Sequence, residues 1–222
     1  MFKKNSAIYG FSIPVYATKS FMYHLVPKSW LELKDMVFVR IKRISGGEYA
    51  YLVANSWTGS GPRQKVSEYL GKATRPAKAK SEGLRAFLGL TSDKDLADWI
   101  TKSSFAEIAA ALVKLELKNH CIDGTSSYKI NAENGEFTNE KGRKIVFALN
   151  DGFLCSHTAK KLLGYDPAAD YSGYNLADAL TAAGIAVDKD VFISLFGKMQ
   201  ATSGARRQEA EAAEKEAKEF YY

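Results

Sequence analysis

The side chains able to do chemistry here fall into two groups, and neither brings a complete reaction. Cys155, Ser156 and His157 put a thiol, a hydroxyl and an imidazole side by side. Adjacent residues cannot supply the nucleophile, base and orienting group of covalent catalysis without distant partners. His120-Cys121 and Cys155-x-His157 offer nitrogen and sulfur donors of the kind zinc prefers, but without the C-x2-C spacing that makes such a motif specific. Asp151, Asp166, Asp170 and Asp178 make no recognisable metal-carboxylate signature, and several fall at turns or caps where aspartate is ordinary. Neither G-x-G-x-x-G nor G-x4-G-K-[ST] occurs. The expectation is a non-enzymatic protein with no catalytic residues, no cofactor and no metal site.

The second group is cationic. Between residues 36 and 80 there are nine Lys or Arg against Glu48 and Glu68, a net +7, whereas the whole chain of 222 residues carries only +6. The basicity therefore belongs to one segment, the pattern of a surface that meets polyanions. Arg40, Lys42, Arg43, Arg63 and Lys65 are the candidate phosphate contacts, with Lys72 and Arg75 extending the track. Tyr51 and Tyr69 are the candidate stacking residues.

Three strands must position these side chains. Val37, Val39 and Ile41 alternate with Phe38, Arg40 and Lys42; Ser45-Gly46-Gly47 is a hairpin turn. In the second strand Tyr49, Tyr51 and Val53 alternate with Ala50, Leu52 and Ala54, and Gly59 to Pro62 closes it. Arg63 to Leu70 forms the third strand, ending at Gly71. The periods predict an antiparallel meander with one apolar and one basic face.

The predicted class is α+β: a small three-stranded antiparallel meander followed by a mostly helical body with a β-hairpin. Residues 1–35 form an aromatic N-terminal arm or extension, 36–71 the meander, and 72–82 a basic linker broken by Pro76. Residues 83–202 form the helical body with its hairpin over 127–149, and 203–222 a polar terminal helix. Ser92 caps one helix, and Ser104 with Glu107 makes a capping box for another over Phe105 to Asn119. Asn150-Asp151-Gly152 ends a strand and starts a helix to about Leu163. A helix pair over 174–199 resembles a helix-turn-helix in outline, but its second helix opens Asp188-Lys189-Asp190, acidic where phosphates would approach, so ordinary packing is expected.

R-I-K-x-x-x-G-x-x-Y-x-Y-L-V followed by G-P-R-Q-K-V-x-x-Y-L-G, from Arg40 to Gly71, resembles the N-terminal segment of some DDE-type insertion-sequence transposases. It also looks like a set of uncharacterised archaeal proteins in which such a segment joins a body with an N-D-G-F-L-C-like turn, here Asn150 to Cys155. The transposase resemblance implies nucleic acid as partner. No catalytic core is recognisable after the meander, so it implies no transposase activity.

The sequence thus predicts a nucleic-acid-binding protein, with structured RNA or a ribonucleoprotein ahead of duplex DNA. The alternatives are a protein-interaction adaptor docking through the helical body, or a duplex-DNA binder related to transposase accessory domains. Two cysteines, no apolar run long enough to span a bilayer and no signal-peptide pattern predict no membrane association and a cytoplasmic location.

Overall fold

The computed structural model describes residues 37–58, 61–123, 125–169 and 172–220. The predicted arm over 1–35 lies outside them. The class is α+β, with the three-stranded meander present.

The strands β1 (Val37–Ile44), β2 (Gly47–Thr58) and β3 (Gly61–Thr74) follow one another. Ser45 (φ 48°) and Gly46 (φ 77°) both lie in the left-handed region, as a two-residue type I′ hairpin requires. Three helices come next: α1 (Leu84–Phe87), α2 (Asp93–Lys102) and α3 (Phe105–Asn119). Ser92 with Asp95 and Ser104 with Glu107 close complete capping boxes on α2 and α3, each satisfying amide groups the helix end would otherwise leave open.

A hairpin of β4 (Tyr128–Asn131) and β5 (Glu136–Asn139) precedes β6 (Ile145–Leu149) and β7 (Gly152–Leu154). Then come α4 (Ser156–Leu163), a 3₁₀ turn (Pro167–Ala169), α5 (Tyr174–Ala182) and α6 (Lys189–Phe220). The main sheet has the order β1-β2-β3-β6-β7, with β4-β5 as a separate two-stranded sheet.

Four boundaries differ from those the sequence predicts. β3 runs on to Thr74 and pairs in parallel with β6, Lys72 opposite Ile145 and Thr74 opposite Phe147, so the expected linker begins as sheet. β6 lies in the main sheet rather than in the 127–149 hairpin, whose second strand is β5. Gly152–Leu154 is a strand antiparallel to β6 where a helix was expected. The body's last helix and the polar terminal helix are one, α6. The first three differences concern strand pairings that override local pattern.

The described residues fall into two compact units, those of 37–38 with 54–65 and those of 39–53 with 66–220. In the first, the Ser56 hydroxyl donates to the Arg63 carbonyl at 3.3 Å, tying the ends of β2 and β3 across their connection. In the second, β6 is buried on both sides. Ile145, Phe147 and Leu149 join a large core with α3, α4, α5 and α6, while Val146 joins a smaller cluster of Ala50, Leu52, Leu70, Ala73 and Cys155. Such two-sided burial is the usual state of a strand in a parallel pair. Among the described residues no helix is long and apolar enough to cross a membrane.

Candidate nucleic-acid interface

Strand alternation sorts the larger unit's share of the meander into two faces. Ala50, Leu52 and Leu70 point into the smaller cluster, with Val39 and Ile41 packed against it. Arg40, Lys42, Tyr49, Tyr51 and Tyr69 occupy the alternate positions.

On this second face the Tyr51 and Tyr69 rings are 5.3 Å apart between centroids and tilted by 53°. Tyr49 lies 6.5 Å from Tyr69, and Lys42 Nζ stands 5.1 Å from the Tyr51 centroid. Tilted aromatic neighbours at such distances attract through ring edge and face, and an ammonium over a ring adds a cation–π contact. Tyr69 remains 46% exposed. Its phenol pKa is nonetheless raised, first by the partial burial of its position, then by Tyr51 and Tyr49, with Arg143 opposing. Arg143, on the β5–β6 connection, is therefore part of the electrostatic surroundings of this face.

The remaining candidates are placed differently. Glu48 accepts from Arg75 Nε at 2.8 Å and Arg43 Nε at 3.0 Å. The Arg75 bond, then the Arg43 bond, hold its carboxyl below the usual range. Arg43 and Arg75 thus share one carboxylate, and the group of three offers a net charge of one rather than two. Lys72 is exposed on β3 within the β6 ladder. Arg63 and Lys65 are exposed in the first unit.

Sequence reasoning passed over two members of the face. Tyr49 sits two residues before Tyr51, so its strand spacing was a usable signal. Arg143 had none, because it reaches Tyr69 only through the fold.

The cysteine and histidine pairs do not converge. His120 is buried at the end of α3 and donates from Nδ1 to the Glu116 carbonyl at 2.9 Å. Cys121 is exposed, whereas Cys155 is buried beside Thr158. Ser156 Oγ accepts from the Phe137 amide at 3.0 Å. Among the described residues no group of three or more His, Cys, Asp or Glu is placed to hold a metal ion.

No protein-family model, curated protein or solved structure matches the chain.

Proposed function

We propose that the protein is a non-enzymatic nucleic-acid-binding protein that takes structured RNA ahead of duplex DNA on the tyrosine-bearing face of its meander. The observation that carries this reading is the Tyr51–Tyr69 pair with Lys42 over Tyr51. Arg40 and Lys42 would neutralise phosphates while the exposed Tyr69 ring takes an unpaired base. Splayed bases of this kind occur in RNA loops and are hidden in duplex DNA, which is why RNA comes first. The resemblance of Arg40 to Gly71 to transposase N-terminal segments points toward nucleic acid as well.

The test is fluorescence anisotropy with a stem-loop RNA and a duplex DNA over a range of salt. Arg40→Ala and Lys42→Ala should each reduce the slope of log K against log salt by about 1. Tyr69→Ala should weaken RNA binding by about 1–3 kcal/mol with the slope unchanged. Absence of binding to either nucleic acid at low salt would sink the reading, as would affinities unmoved by all three substitutions.

A further inference from the structure

The larger unit holds a groove of about 850 Å³ on the opposite side of β3 from Tyr69. β6 is laddered to β3 only from Lys72 onward, and the groove opens along β3 before that point, at Glu68 and Leu70. Its floor is the β4–β5 hairpin. The register pairs Lys129 with Thr138 and Asn131 with Glu136, placing four polar side chains on one hairpin face. The groove is lined as well by Ser156, His157 and Lys160 of α4 and by Lys144.

Cationic side chains thus converge from the hairpin, the β5–β6 connection and α4. Lys144 donates to Glu68 Oε1 at 2.5 Å, so those two charges offset one another. That bond first, with His157 contributing last, holds the Glu68 carboxyl below its usual range. Lys129 and Lys160 form no ion pair with a described residue. Ser156 accepts from Phe137, and its own proton meets no acceptor among the described residues.

The groove carries both signs: Lys129, Lys160 and His157 can meet an anion, while Asn131 and Glu136 can accept hydrogen bonds from a neutral donor. A purely anionic ligand would meet repulsion at Glu136. A ligand with an anionic end and an N–H- or O–H-bearing body would suit both parts, and the volume falls in the range of small-ligand sites. We propose that this groove binds a nucleoside monophosphate, its phosphate on Lys129, Lys160, His157 and the Ser156 hydroxyl, and its sugar and base toward Asn131 and Glu136. Two sources share this chemistry: a free mononucleotide and the 5′-terminal residue of a strand. The site uses none of the residues of the tyrosine face and does not depend on the function proposed there.

Isothermal titration of the full chain with adenosine 5′-monophosphate, inorganic phosphate and adenosine tests it. The monophosphate should bind, phosphate more weakly, and adenosine undetectably. Lys129→Ala and Lys160→Ala, both at exposed positions, should each weaken the monophosphate about tenfold or more, with the exposed Lys94→Ala as an unaffected control. Tyr69→Ala should leave this binding intact, so failure of the tyrosine face and failure of the groove are separable. No binding of the monophosphate, or binding insensitive to both lysine substitutions, overturns the proposal. A Lys160-dependent preference for 5′-phosphorylated over 5′-hydroxyl RNA identifies a strand end as the source; equal affinity for the two identifies the free mononucleotide.

Discussion

The Lys144 carbonyl oxygen sits against the place where a Cβ on Gly71 would stand, and Gly71 itself has φ +134°. Both conditions exclude a side chain. Leu70 and Ala73, three residues apart, join the same cluster, so strand alternation skips a step at this glycine. Gly71 therefore lets β3 change register and receive β6. Gly71→Ala should destabilise the protein by roughly 2–4 kcal/mol, combining backbone strain with overpacking. A denaturant melt showing less than about 1 kcal/mol would contradict this role.

Glu48 restrains two of the cations that sequence pattern assigned to binding. Replacing it with glutamine removes one negative charge and releases Arg43 and Arg75. If the meander binds nucleic acid as proposed, Glu48→Gln should tighten binding at low salt and steepen its salt dependence. An unchanged slope would mean that neither arginine reaches phosphate. The same carboxylate affects stability: its folded pKa is lowered, so its contribution is present above the unfolded value and is lost as pH falls through the folded one. Wild type should therefore lose stability in that acid range more steeply than Glu48→Gln.

Tyr69 works in the opposite sense. Its phenol pKa is raised on folding, so the neutral ring is favoured in the native state. This contribution is complete below the unfolded tyrosine pKa and disappears as pH rises through the folded value. In an alkaline titration followed by tyrosinate absorbance, Tyr69→Phe should remove a late-titrating group. Curves that differ only in amplitude, with no loss at the late end, would contradict the shift.

Asn150 joins the β6–β7 turn to the helices. Its amide donates to the Gly184 carbonyl at 2.8 Å and to the side chain of Glu116, a buried carboxylate with Lys78 Nζ 3.9 Å away. Asn150→Asp would set a second carboxylate against the first and remove a donor. At neutral pH it should cost about 2–4 kcal/mol. A denaturant melt checks this; a loss below about 1 kcal/mol would contradict the bridging role of Asn150.

Much of the fold was legible where a signal is local. The capping residues Ser92, Ser104 and Glu107 act within one helical turn, and Ser45-Gly46 sets its hairpin without help. The alternation of Tyr49 and Tyr51 with Ala50 and Leu52 separated the two faces of β2 correctly. The parallel β3–β6 pair was not legible, because Lys72 and Ile145 carry no mark of each other in sequence. Glu48 looked like one of two acids in a basic run, although the fold gives it two arginine partners. The groove was hidden for the same reason: Lys129, Lys144 and Lys160 are ordinary surface lysines until the hairpin and α4 place them together.

The ladder from Lys72 to Thr74 also governs how the chain can be cut and how it reaches its native state. Its first pair joins positions 72 and 145, so the intervening segment must be drawn in before that pair can form. Closing so long a loop carries an entropic penalty that grows only slowly with length, but it makes the pairing late and slow relative to the adjacent hairpins. A fragment ending at Gly71 would retain the meander's sequence while losing β6, whose Val146 shares the cluster of Ala50, Leu52 and Leu70. It would expose an unpaired, partly apolar sheet edge prone to self-association. The meander is continuous in sequence, but it is not a separable piece of the protein.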